Sequence, residues 1–303
     1  MQRRQFSAVI GASLLGMGLA GQAKEKLGNI DPATAEARLR EIESASGGRL
    51  GVQILNTATG ARYGHRADER FPMCSTFKVL ASALVLRRVD LGQDRLDRHI
   101  RYGREVLIEH SPVTERHVGR GMTLGELCDA TITTSDNAAA NLILQSCGGP
   151  EALTAYMRTL GDTETRLDRT EPALNEATPG DLRDTTTPAA MTASLRTLLL
   201  GDALSPASRE QLAAWMVANT TGDTRLRAGL PAGWRVGDKT GAGARGTNND
   251  VGIVWPPGRA PWLVSAYLTD TERPKEQRDA ALAQVGRLTA ELAGAPAARS
   301  AAG

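Results

Sequence analysis

The chain has 303 residues, 41% apolar and 23% charged, which suits one large or two ordinary globular domains. Aromatics make up 4% and the net charge is +2, which argues against a stacking platform for single-stranded nucleic acid and against a basic footprint for nucleic acid or anionic lipid. The four histidines, His65, His99, His110 and His117, are scattered, and the three cysteines form no C-x-x-C, so neither a metal site nor a cofactor is expected.

Residues 1–23, MQRRQFSAVIGASLLGMGLAGQA, have a charged start, a Gly- and Ala-rich apolar run and a small-residue end, the pattern of a secretory signal peptide. Arg3-Arg4 followed by Phe6 points to twin-arginine export; an ordinary signal with two arginines is the plainer alternative. The apolar run is shorter than the ~20 residues of a membrane span, so no stable membrane association is expected after cleavage. Cleavage removes Arg3 and Arg4 and no acid, leaving a near-neutral chain for an oxidising compartment. There the odd cysteine count leaves at least one free thiol.

Asp31-Pro32 opens a helix that Gly47-Gly48 ends. RLGVQILNTATGARYGHR then alternates with period two through Leu50, Val52 and Ile54, a hairpin with one buried face. From Phe77 to about Ala214 the period becomes helical in FKVLASALVLRRV, TLGELCDATI, NAAANLILQSC, GPEALTAYMRTLG, PAAMTASLRTLLLG and SPASREQLAAWMVAN. Between them TETRLDRTEPALNEATPGDLRDTTTP keeps no period, the mark of a functional loop. Strands return in GWRVGDKT, NDVGIVWP and PWLVSAYLT, and PKEQRDAALAQVGRLTAELAG closes the chain as a helix. The pattern predicts an α/β plus all-α architecture. An antiparallel five-stranded sheet, flanked by N- and C-terminal helices, is formed by residues 28–66 and 222–295, and a helical domain, 67–221, is inserted. Binding sites favour the crevice between such domains. No exposed apolar helix face is evident, which predicts a monomer.

Four short motifs carry chemistry. Ser75 and Lys78, in MCSTFK, sit at a helix start, where amide groups and the dipole favour developing negative charge; a Ser N-cap with a snorkelling lysine makes the same pattern. A partly desolvated lysine three residues from a hydroxyl, on the same side of the helix, can deprotonate it. Ser135-Asp136-Asn137 reads equally as a capped helix start. Lys239-Thr240-Gly241 leaves a strand into Ala242-Gly243, a stretch that lets backbone lie close against a ligand, although a lysine is ordinary on a sheet edge. Arg169-Thr170-Glu171-Pro172-Ala173-Leu174-Asn175 places a carboxylate on the irregular loop, either a general base or a solvated acid.

S-x-x-K, S-D-N, E-P-x-L-N and K-T-G in that order form a specific set, and the chain resembles the class A serine β-lactamases over essentially its whole mature length. SPVTERH at 111–117, RDTTTPAAM at 183–191 and LPAGW at 230–234 look like further family landmarks. The resemblance implies that Ser75 attacks the lactam carbonyl while the amides of Ser75 and Ala242 hold the oxyanion. Ser135 would relay a proton to the lactam nitrogen. Lys239, Thr240 and Gly241 would bind the substrate carboxylate, and Asn137 a side-chain amide and Lys78. Glu171, with Asn175, would activate the water that frees the acyl-enzyme; either Lys78 or Glu171 could be the acylation base. Arg169 and Asp184 match the ion pair that closes the loop.

Two departures from the family pattern stand out. Asn248 replaces an arginine many members place after K-T-G, and Arg225 matches an alternative arginine position near the carboxylate; a surface arginine at a helix end is the other reading. Cys74 and Cys128 lack the partners of family disulfides, the positions being Gly243 and Ser82, so both are expected as buried small apolar residues. His110 matches the family's aromatic gate beside the site, or is a surface loop histidine. The resemblance thus implies a periplasmic β-lactamase conferring β-lactam resistance. It would hydrolyse penicillins and cephalosporins with water through an acyl-enzyme, without metal or cofactor. A penicillin-binding peptidase and a β-lactam sensor share the serine and both lysines but lack a base for deacylation, so the loop from Arg169 to Asn175 argues against them.

Overall fold

Asp31 caps the first helix: its Oδ1 accepts from the amides of Ala33 and Thr34, and Pro32 supplies the first residue. This helix, α1 (Pro32–Ser46), ends at Gly47, whose φ of 65° is the left-handed conformation that glycine adopts without strain. The computed structural model describes residues 30–295; the signal sequence expected at 1–23 lies outside them.

The chain continues through β1 (Arg49–Asn56), β2 (Arg62–His65), β3 (Phe71–Pro72), α2 (Phe77–Asp90), β4 (His99–Ile100), β5 (Met122–Thr123), α3 (Leu124–Thr133), α4 (Asn137–Cys147) and α5 (Gly149–Thr159). It finishes with β6 (Thr185–Thr186), α6 (Pro188–Leu199), α7 (Pro206–Val217), α8 (Leu226–Gly229), β7 (Arg235–Ala242), β8 (Asn248–Trp255), β9 (Trp262–Thr269) and α9 (Lys275–Leu292). The five-stranded sheet has the order β2-β1-β9-β8-β7 with every pair antiparallel. The N-terminal hairpin therefore joins the C-terminal strands through β1 and β9, as the period-two pattern predicts.

The expectation of one buried face on β1 is corrected: every residue after Arg49 is buried. Leu50, Val52 and Ile54 pack with Leu39 of α1 and with Leu282 and Leu288 of α9. The opposite face is covered too. Gly51 admits the Phe71 ring, where a Cβ would lie 2.3 Å from a ring carbon, and the Gln53 amide donates to the carbonyls of Ile54 and Tyr63. Period two fails to report this second face because small and hydrogen-bonded residues occupy it.

Helix α2 is buried on all sides from Phe77 to Leu86 and forms the centre of the helical layer. The irregular segment of residues 163–188 is held at its C-terminal end by the β3–β6 pairing and internally by Arg169 Nε donating to Asp184 Oδ2 at 2.6 Å. Cys74, Cys128 and Cys147 are free and buried, and burial pushes all three thiols up, away from the reactive thiolate.

Candidate active site

Ser75 lies in a 3-10 turn, Cys74–Thr76, that feeds into α2, immediately after Cys74 with its φ of 45°. The Ser N-cap reading fails here, because Thr76 holds the cap position of α2 without a side-chain bond and the Ser75 hydroxyl turns elsewhere. It donates to Glu171 Oε1 at 3.1 Å. The backbone strain at Cys74 is the kind that persists where surrounding structure over-determines a reactive side chain.

Lys78 points into the protein, fully buried. Its Nζ donates to Asn137 Oδ1 at 2.6 Å, to the Ser135 carbonyl at 2.8 Å and to Ser135 Oγ at 3.3 Å. The same amine is 3.0 Å from Glu171 Oε1. Burial lowers its pKa, and the Glu171 carboxylate opposes that shift. Lys239, also fully buried, donates to Ser135 Oγ at 3.1 Å, so one hydroxyl is shared by two ammonium groups. Burial, and then the charge of Lys78, hold Lys239 well below the ordinary lysine value. Ser135 reaches this position with φ of 61°, and Asp136 next to it caps α4 through Ala139 N.

Glu171 is 3% exposed, which excludes the solvated-acid reading. Its Oε2 accepts from Asn175 Nδ2, one 3-10 turn later. The Glu171–Pro172 peptide is cis. Asp184 closes the loop by accepting from the amides of Asp168 and Arg169 at 2.8 and 2.9 Å besides the guanidinium. Asn175 O accepts from Ala244 N at 2.9 Å, tying the loop to the end of β7.

These groups border a crevice of about 610 Å³, within the ~300–1,000 Å³ range of small-molecule sites. Ser75, Ser135, Asn137, Asn175, Thr240, Gly241, Ala242, Arg225 and His110 line it, while Lys78, Lys239 and Glu171 stand buried behind the hydroxyls. Gly241 brings β7 against the turn that carries Ser75: a Cβ there would lie 2.8 Å from the Met73 carbonyl. Arg225 is 5% exposed, which excludes the surface-arginine reading. Its Nε donates to Asp279 Oδ1 at 3.1 Å and its Nη1 to the carbonyls of Gly241 and Asn249. Asn248 donates to the same Asp279. His110 is exposed at the rim, its Nε2 donating to the Thr134 carbonyl at 2.9 Å and its carbonyl accepting from Asn137 N.

Sequence reasoning singles out every residue of this constellation but two of its supports, Asn141 and Asp279, and it names Asp136 only as part of a capped helix start. Asn141 accepts from Glu171 N at 2.9 Å and donates to Glu171 O at 2.8 Å, clamping the backbone of the acid. The signal was its place four residues after Asn137 on the same helix face. Asp136, fully buried, accepts from Val113 and Thr114 amides and so fixes the 111–117 loop. Asp279 holds Arg225 from α9. Among the described residues, no group of three or more His, Cys, Asp or Glu is placed to hold a metal ion, and no helix is long and apolar enough to cross a membrane. A hydroxyl on a carboxylate, a second hydroxyl between two buried amines and a closed loop behind them make up the equipment of acyl transfer.

The comparisons with known proteins agree with one another. The model of a family described as the beta-lactamase enzyme family matches residues 34–292. Beta-lactamase AST-1 of Nocardia asteroides is 53% identical over 262 residues, 86% of this chain and 84% of that one. Beta-lactamase L2 of Stenotrophomonas maltophilia is 48% identical over 295 residues, 96% and 97% of the two chains. The solved structure of an ancestral class A beta-lactamase is similar with a TM-score of 0.84 and 66% identity, covering 85% of this chain and 99% of that one.

Proposed function

The chain belongs to the class A β-lactamases, serine hydrolases that open the β-lactam ring and cause resistance, and from that premise we propose how its own residues divide the reaction. The observation that carries the proposal is the Glu171 Oε1 atom, 3.1 Å from Ser75 Oγ and 3.0 Å from Lys78 Nζ.

In acylation, Ser75 Oγ attacks the lactam carbonyl as its proton passes to Glu171, the group it already bonds. The oxyanion forms against the amides of Ser75 and Ala242; one such donor is typically worth ~10²–10³ in rate. As the carbon–nitrogen bond breaks, Ser135 gives its proton to the leaving nitrogen. It recovers one from Lys78, 3.3 Å away, and Lys78 takes the proton held by Glu171. The serine's proton thus ends on the lactam nitrogen and Glu171 is a carboxylate again. In deacylation Glu171, oriented by Asn175 and Asn141, takes a proton from water, whose oxygen attacks the ester, and Ser75 leaves with that proton. Arg169 and Asp184 act structurally, keeping the loop shut.

Thr240 and Arg225 line the end of the crevice suited to the substrate carboxylate, with Lys239 buried behind them and Gly241 bringing that strand close. Asn137 faces the side-chain amide, and His110 forms an edge of the entrance. Penicillins and cephalosporins fit this arrangement of one anion site beside one nucleophile. Mixing the purified mature protein with benzylpenicillin should give many turnovers per molecule; a single stoichiometric burst would instead indicate the peptidase or sensor reading.

The leader, with Arg3-Arg4, supports export to the periplasm by the twin-arginine route, and the lack of an evident exposed apolar helix face in the sequence supports a monomer there. Replacing both arginines by lysine should leave active protein in the cytoplasm. Unchanged periplasmic activity would remove the twin-arginine assignment.

A further inference from the structure

Resting on the assignment of Lys239, Thr240 and Arg225 to the substrate carboxylate, we propose that Lys275 is a specificity-determining residue. In this proposal it is a cation at the outer edge of the carboxylate site that selects cephalosporins with a second negative charge, on the substituent next to the ring carbon that bears the carboxylate.

Lys275 is the first residue of α9, an 18-residue helix. The positive end of a helix is where a cation is least favoured, and a lysine preceding its acid by four residues is the poorer orientation of such a pair. A lysine at an exposed helix start would normally run out into water. This one lines the crevice together with Arg225, Thr221 and Thr240. Local rules broken without a packing reason are expected at functional positions.

What holds it there is Asp279. The Lys275 ammonium donates to Asp279 Oδ2 at 2.5 Å, on a lysine side chain that keeps 59% of its surface exposed against 5% for the acid. Asp279 also accepts from Arg225 Nε, Asn248 Nδ2 and Thr224 Oγ1. One buried carboxylate therefore serves two cations that line this end of the crevice, Arg225 and Lys275. Lys239 and Arg225 match a single substrate carboxylate. Lys275, exposed and on a flexible stem, is the cation left for a second anion. In a cephalosporin the carbon bearing the carboxylate adjoins the carbon bearing the variable substituent. Anchoring the first therefore puts the second beside the outer edge, where Lys275 stands.

The test measures kcat/KM for two cephalosporins that differ only in having a neutral or a carboxylate-bearing substituent at that carbon. Lys275→Gln should lower the charged-to-neutral ratio about three- to fivefold, the size of an exposed ion pair, through KM rather than kcat. Lys275→Arg should keep the ratio, and raising the salt should erode it in the wild type but not in Lys275→Gln. An unchanged ratio in Lys275→Gln, or equal losses for both substrates, overturns the proposal. Arg225→Ala separates this from the underlying reading: it should weaken both cephalosporins alike. If Arg225→Ala changes neither, the carboxylate assignment itself fails.

Discussion

Burial and then the neighbouring Asp238 carboxylate hold the Asp250 carboxyl well above the ordinary aspartate value. Asp250 stands opposite Thr240 across β7 and β8, directly behind the lysine–threonine pair of the crevice, and accepts from Leu226 N at 3.1 Å. The folded state thus keeps a proton that the unfolded chain releases above about pH 4. A group whose folded pKa is raised favours the folded state only at low pH, and that contribution is lost as pH rises from the unfolded value to the folded one. Asp250→Asn, which keeps the acceptor, should therefore gain stability relative to the wild type between pH 5 and 8, read from urea midpoints. A difference independent of pH would mean that Asp250 is ionised in the fold. At this scale the groups that the structure brings together at the candidate site were legible in sequence, because few side chains can do the work proposed for them and the spacing of Ser75 and Lys78 restricts them further. Asp250, Asp279 and Asn141 were not, because a buried acid or amide with its partners far along the chain looks like any polar residue of a strand or helix.

Among the elements, the irregular loop shows how packing turns a weak local signal into a rigid one. Residues 163–188 have no period, yet Asp184, Asn175 and Asn141 fix their backbone at several points. Asn141→Ala leaves the Glu171 amide and carbonyl without their partner on α4, a loss of about 1–3 kcal/mol in stability. The carboxylate should then wander from the ester it must face. The steady-state fraction of acylated protein on benzylpenicillin should rise and kcat fall by about tenfold, since small misplacements carry large kinetic costs. Unchanged kcat with unchanged stability would show that the clamp does not position the acid. The helices other than the four-residue α8 were readable from their caps and periods; α4 begins at Asn137 as its sequence suggests. The face of β1 turned away from α1 was not readable, since Gly51 and Gln53 carry no apolar signal and only the Phe71 ring and the helices across the sheet reveal that they are buried.

The whole molecule places a sheet edge, a buried helix and a loop around one crevice, and each supplies what the others lack. Helix α2 carries Ser75 at its entrance and Lys78 in its first turn; β7 carries Lys239 to Ala242; the loop carries Glu171. Their order along the chain was visible in the sequence, but their convergence came from the β1–β9 pairing and the packing of α2 between helices. The central claim is that Glu171 frees the acyl group that Ser75 acquires. Glu171→Gln keeps the side chain's size and removes its ability to take a proton from water. Intact mass spectrometry after brief mixing with benzylpenicillin should show a persistent adduct of one penicillin, mapped by peptide analysis to Ser75, in Glu171→Gln and none accumulating in the wild type. Release of product by Glu171→Gln at the wild-type rate, or an adduct on any residue other than Ser75, would contradict the account.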